Sequence, residues 1–251
     1  MGLPKIEIIF KQLAVTAVKR SQLGIVGLIV KEPSKNWDVK VYKDITDIKD
    51  TDYTANTVAL VKDTFEYTPN KVFVFNVGSG TLTDTLKKVA QERVNWLGLG
   101  YDGKDGDTAT LVSWIKSVRK AGKTYKAVVF NATKPDNKGI VNLMNSKVTF
   151  VDNRGEVDGW QYVPTVLGML AGLPMTRSAT SFLCGNLKDV SIFNDIDDTI
   201  DKGGFCLYKD EGDIRVARGC TSLEEITQDE TEDMKDIIII ESMDLMRDDI
   251  Y

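Results

Sequence analysis

Four groups of residues in this chain have the types and spacing that chemistry would require. Val77-Gly78-Ser79-Gly80-Thr81 lies between an apolar stretch and a helical one, where a phosphate-binding turn would sit. A dinucleotide fingerprint needs a glycine three residues after Gly80, and Thr83 stands there; no Gly-Lys-Ser/Thr follows either. A tight turn with Thr81 and Asp84 as a capping pair is the simpler reading. Asp102-Gly103-Lys104-Asp105-Gly106-Asp107 has the look of a calcium loop, but Lys104 stands at the third position, which needs an oxygen ligand, and Ser113 at the twelfth, which needs a glutamate. It reads as a solvated loop in which Asp107 caps a helix. The carboxylates of Asp44-Ile45-Thr46-Asp47 and Asp195-Ile196-Asp197-Asp198 have no identifiable partner base, so an exposed charged face is expected. Arg215 and Arg218 could bind an anion, with ion pairs as the default.

Composition narrows the chemistry further. The 251 residues include no histidine, which removes the commonest general base and the commonest metal ligand. Neither a Ser-His-Asp nor a Cys-His triad is possible. Cys184, Cys206 and Cys220 form no CxxC pair and read as reduced, small core hydrophobes. A net charge of −5 and the lack of a Lys/Arg stripe argue against nucleic-acid binding. No apolar run approaches the ~20 residues of a membrane helix, and the first residues do not form a signal peptide. The expectation is a protein that uses no cofactor, no metal and no catalytic residue, and that folds in the cytoplasm.

The elements that would carry these residues follow from periodicity. Gly24 to Val30 is a continuous apolar run, as in a strand covered on both faces. Further strands are expected at Asp38–Tyr42, Val72–Phe75, Trp96–Leu99, Ala127–Phe130, Val148–Val151 and Ile237–Ile240. Helical spacing marks Ala55, Val58, Val61 and Phe65; Leu82, Leu86, Val89, Ala90 and Val94; and Leu111, Trp114, Ile115 and Val118. Tyr162 to Pro174 reads as a tightly packed helix in which Gly168, Ala171 and Gly172 admit close neighbours. Gly204–Tyr208 and Ile214–Ala217 read as a hairpin around a Lys209–Asp213 loop, and a helix is expected from Ser242. The fold class is α/β: a mainly parallel sheet with right-handed crossovers flanked by helices, an N-terminal β arm and a C-terminal hairpin region.

Lys5-Ile6-Glu7-Ile8-Ile9-Phe10-Lys11 reads as a strand with Ile6, Ile8 and Phe10 on one face. Residue chemistry leaves two destinations open. The strand joins its own sheet, or it extends a neighbour's sheet edge.

Several stretches together resemble the tail sheath proteins of contractile phages and phage-tail-like bacteriocins, especially the short sheaths of defective prophages. They are Gly2–Phe10, Thr16–Ser21, Gly24–Lys31, Val163–Met175 with Ser178 and Thr180, Gly203–Leu223 with its Ala217-Arg218-Gly219 step, and Met234–Ile250. The resemblance implies a structural subunit that polymerises helically around an inner tube and contracts to drive it through a target cell envelope. Its partners would be further copies of the chain, the tail tube protein, the baseplate and the tail terminator, without membrane insertion. It implies a place in a virion tail or tail-like particle assembled in the bacterial host's cytoplasm. It also gives Ile6, Ile8 and Phe10 a role as a self-assembly arm donated to a neighbour. The expected organisation is an arm over 1–22, an α/β body over 23–200, and a hairpin and link over 201–251. The family pattern continues into a C-terminal domain where this sequence stops at Tyr251, so the chain alone is not expected to build extended sheath. The competing reading is a nucleotide-binding α/β enzyme that uses the Gly78–Gly80 turn. A further one is a scaffold or adaptor of the same machinery.

Overall fold

The structure is a computed structural model that describes residues 24–250. Its centre is a seven-stranded sheet. The chain passes through β1 (Ile25–Val30), β2 (Val39–Tyr42), α1 (Ala55–Asp63), β3 (Lys71–Asn76), α2 (Leu82–Val89), β4 (Trp96–Leu99), α3 (Asp107–Lys120), β5 (Lys126–Phe130) and β6 (Ile140–Leu143). The order across the sheet is β10-β6-β5-β4-β1-β3-β2, where β10 is the short strand Gly204–Phe205. Every neighbouring pair is parallel except β2 with β3.

Both faces of this sheet are buried, which explains why its strands read as continuous apolar runs. Alternate residues of β3 serve opposite faces. Val72 and Val74 join β1, α1 and the helix α4 (Val163–Gly172) in one core. Phe73 and Phe75 join Leu82, Leu86, Leu111 and Ile115 of α2 and α3 in the other. The small residues of α4 have the use that the sequence suggests. A Cβ on Gly168 would lie 2.1 Å from the carbonyl oxygen of Thr64, and one on Gly172 would lie 2.1 Å from that of Tyr67. Backbone therefore packs against backbone where the chain leaves α1.

Beyond β6 come β7 (Lys147–Phe150), β8 (Glu156–Asp158) and, after α4, β9 (Leu187–Val190), which form a three-stranded antiparallel sheet. The short α5 (Ile196–Asp201) precedes β10, and β11 (Leu207–Asp210) pairs with β12 (Asp213–Val216). This hairpin is tighter than the expected Lys209–Asp213 loop. Only Glu211 and Gly212 lie outside the strands, at φ +48° and +98°, the doubly left-handed turn that suits strand twist. Because β10 adds to the edge of the main sheet, the hairpin is stitched to the body two residues after that strand.

Three expectations need correction. Ile237–Ile240 is not a strand; it is the first turn of α6 (Ile237–Ile250). Its β-branched run suits a strand, but Ile237 and Ile240, three apart, sink to 5% and 2% exposure, while Ile239 stays exposed. Burial at helical spacing outweighs local propensity. Asp107 is not the cap of α3 but its first residue. Gly106 is the N-cap, and the Asp107 carboxylate accepts from the Tyr101 hydroxyl at 2.9 Å and pairs with Lys31 at 2.8 Å. Helices α1 and α2 end before Phe65 and Val94, which pack from the following loops.

Candidate functional site

The residues that the sequence nominates for self-assembly, Ile6, Ile8 and Phe10, lie outside the described residues. The other nominated groups lie within the described residues, and their main members are engaged within the chain.

The Gly78–Gly80 turn follows β3 at the carboxyl end of the parallel strands, beside the point where the strand order reverses around β1. Open α/β sheets bind ligands in the crevice at such a point. Here polar side chains fill it. The Asn76 Oδ1 accepts from the Glu32 N–H at 2.9 Å and from the Gly78 N–H at 2.8 Å. Its amide nitrogen donates to the Glu32 carbonyl at 3.1 Å and the Trp37 carbonyl at 3.2 Å. The Gly80 N–H goes to the Val77 carbonyl at 3.0 Å, and the Asp84 N–H goes to the Thr81 hydroxyl at 3.2 Å. Both glycine N–H groups of the turn are thus engaged within the chain, and Thr81 caps the helix that follows. Glu32, wholly buried, caps α1 through Thr54: its Oε1 accepts from the Thr54 N–H at 3.1 Å and hydroxyl at 2.8 Å.

The acidic clusters are local caps as well. Asp44 accepts from the Thr46 N–H, and Asp195 accepts from the Asp198 N–H. Arg215 pairs with Asp213 at 3.0 Å and Arg218 with Asp236 at 3.1 Å, so both carry ion pairs. The cysteines are free and buried, and burial pushes the thiols of Cys184 and Cys220 up to about 11 and that of Cys206 up to about 12. Among the described residues no cluster of three or more Cys, Asp or Glu is arranged to hold a metal. No described helix is long and apolar enough to cross a membrane.

The most concentrated charge in the fold is one that sequence reasoning missed. Lys126 opens β5 at the amino end of the sheet and is 2% exposed. Its Nζ donates to Asp244 of α6 at 3.0 Å and lies 3.4 Å from Glu241. Arg119 of α3 grips the same Asp244 with both terminal nitrogens, at 2.9 and 3.0 Å. Nearby, Asp248 accepts from the Thr124 hydroxyl at 3.0 Å and pairs with Arg93 at 3.5 Å. Burial lowers the Lys126 pKa, but Glu241 and Asp244 more than offset this, so it stands above the ordinary lysine value. Burial raises Asp244, and Lys126 and Arg119 outweigh it, so its carboxyl is held below the usual range. The cluster fastens α6 to the body at the end of the sheet opposite the Gly78 turn. Its partners are 118 residues apart in sequence, so spacing along the chain offered no signal for it.

No protein-family model matches the chain. The tail sheath protein of Clostridium phage phiCD119 is 28% identical over 267 residues, an alignment that spans 99% of this chain and 71% of that protein. The crystal structure of the sheath tail protein from Listeria innocua superposes with a TM-score of 0.83 at 16% identity, covering 96% of this chain and 78% of that one. The chain has the tail-sheath fold. The contracted helical sheath of the anti-feeding prophage is more distant, with a TM-score of 0.66 at 12% identity over 94% of this chain and 71% of that one. The tail-sheath fold thus persists where little sequence identity remains. That is the behaviour of an architecture fixed by the pattern of buried positions, here the two cores on either side of the seven-stranded sheet.

Proposed function

We propose that this chain is a structural subunit of a contractile tail sheath, one that polymerises helically around an inner tube and contracts to drive the tube through a target envelope. The carrying observation is the collinear likeness to a phage tail sheath protein over 99% of the chain, joined to the fold it shares with solved sheaths. The caps and ion pairs that engage Thr81, Asp44, Asp195, Arg215 and Arg218 within the chain agree with a mechanical role. In this reading the seven-stranded body moves as a rigid unit between two packings. A difference of about 1–3 kcal/mol per subunit, summed over a sheath, performs the work. Ile6, Ile8 and Phe10 form an arm that adds a strand to a neighbouring subunit and keeps the copies tethered while their bodies slide. The tail tube, the baseplate and the tail terminator complete the set of partners, with assembly in the host cytoplasm.

The test is removal of residues 1–10 in the particle-forming protein. Circular dichroism and the melting temperature of the isolated subunit should stay within experimental error, while electron microscopy should show tubes without a sheath. Loss of the subunit's own fold would mean that the strand belongs to its own sheet. Normal sheaths would remove the arm from assembly altogether.

A further inference from the structure

Two groups of exposed charges, opposite in sign, have no ion-pair partner among the described residues. The first is basic and lies at the end of α3. Lys116 and Lys120, one helical turn apart, and Lys123 just past the helix are exposed and unpaired. Arg247 of α6 joins them. Its guanidinium stands 2.9 Å from where a Cβ on Gly122 would lie, and it too is exposed and unpaired. Lys123 and Arg247 help to line an open cleft of about 780 Å3. Of the two carboxylates in that cleft, Asp248 is already held by Thr124 and Arg93, which leaves Glu92 alone against the two free cations.

The second group is acidic. The segment from Glu224 to Asp233 carries six carboxylates and no base. Glu230 pairs with Lys138 and Glu232 with Lys235, but Glu225, Asp229 and Asp233 are exposed and unpaired among the described residues. The backbone beneath them is pinned. Asp136 accepts from the N–H groups of Glu224 at 2.8 Å and Glu225 at 3.2 Å, and the Thr221 N–H donates to the Lys235 carbonyl at 2.7 Å. The segment is therefore preorganised, with its carboxylates turned outward rather than onto the chain's own basic group. Each group also has an apolar centre. Ile226, 38% exposed, lies between Glu225 and Asp229, while Met243 and Met246, 41% and 64% exposed, lie beside Arg247 on α6. An apolar centre within a polar rim is the anatomy of a protein interface, and methionine adapts its packing to the partner.

We propose that the acidic segment of one chain docks on the basic group of a second copy, with Glu225 and Asp229 facing Lys120, Lys123 and Arg247, and with Ile226 against Met243 and Met246. Charge complementarity selects the partner and the register. The two surfaces differ, so the contact is heterologous: every pairing leaves one surface of each copy open to a further copy, which is how a helical assembly grows. A patch this small holds a single pair weakly and gains strength by repetition. As a contact within a sheath it rests on the function proposed above; as a contact between two chains it stands by itself.

The test treats an equal mixture of isotopically light and heavy full chains, at low salt, with a carbodiimide, which joins carboxylates to lysines. Mass spectrometry should find mixed-isotope crosslinks between residues 224–233 and 116–123, in a ladder that continues past the dimer. Their yield should fall about fivefold at ~0.5 M salt, where the screening length drops below ~5 Å. Lys120→Glu with Lys123→Glu should abolish them, and so should Glu225→Lys with Asp229→Lys. An equal mixture of these two variants should restore them, with carboxylate and amine exchanged between the partners. All four positions are exposed, so both variants should melt as the wild type does. Crosslinks confined to single chains, a ladder that ends at the dimer, or variants that fail to rescue each other would overturn the proposal. In the particle-forming protein, normal sheaths built from either variant alone would also overturn it and leave the sheath function standing. Wild-type protein that builds no sheath yet keeps its mixed crosslinks would sink the sheath function and spare the contact.

Discussion

Asp244→Ala removes the centre of the charge cluster under α6, and its cost can be worked from the contacts. The Asp244 side chain accepts three charge-assisted hydrogen bonds, two from Arg119 and one from Lys126. Its loss leaves Lys126, 2% exposed, with the 3.4 Å ion pair to Glu241 and the Trp96 ring 5.4 Å from its Nζ. Removing one partner of a buried pair costs about 3–5 kcal/mol, mostly because the other charge is left uncompensated. Glu241 remains, and Arg119 keeps its bond to the Tyr125 carbonyl at 3.2 Å, so the lower end applies. About 3 kcal/mol lowers the melting temperature of a chain this size by roughly 6–12 °C. Lys126→Met is the informative contrast. Asp244 stays gripped by Arg119, Glu241 has a partly exposed side chain that can turn to water, and Met fills the space, so the expected change is within about 1 kcal/mol. The assay is urea or thermal unfolding of both variants across pH. The folded Asp244 pKa lies below its unfolded value near ~3.9. Its contribution is therefore complete above that value and is lost as pH falls through the lower folded pKa, where the unfolded chain binds the extra proton. The wild type should lose stability over this acid window more steeply than Asp244→Ala. A loss under 1 kcal/mol in Asp244→Ala, a larger loss in Lys126→Met, or parallel acid limbs would refute the assignment.

Two further outcomes are expected. Gly168→Ala sets a methyl group against the Thr64 carbonyl at a spacing no real Cβ tolerates, so it should cost about 3 kcal/mol, the upper end for overpacking; Gly185→Ala, with open space around it, should shift the melting temperature hardly at all. The three cysteines should resist a thiol reagent at pH 8 in the folded chain, since a pKa of about 11 for Cys184 and Cys220 and about 12 for Cys206 leaves at most ~0.1% thiolate even before access is considered, and all three should react on unfolding; prompt labelling of the native chain would contradict their burial.

Much of this fold is written locally. The strands of the central sheet are short runs of Val, Ile, Leu and Phe whose neighbours alternate between two cores, and the Thr81–Asp84 pair forms the cap that its spacing announces. The small residues of α4 declare a close approach before its partner is known. These features need only bond geometry and the avoidance of water by apolar side chains. Other features have no local expression. Nothing local marks Lys126 or Glu32 as buried, and Ile237–Ile240 reads as a strand; residues far along the chain decide all three. Asp244 and Glu241 bury the lysine, Thr54 and Asn76 bury the neighbourhood of the glutamate, and the core draws Ile237 and Ile240 onto one helical face. A buried charge is stable only where its partner arrives, and the arrival is a property of the assembled chain. The sequence alone therefore determined the layered α/β body and the absence of histidine chemistry. Tertiary structure decided which charges are buried, where α6 is fastened, and that Asn76 ties the start of the Gly78 turn to Glu32 and Trp37, because each of these depends on groups that only folding brings together.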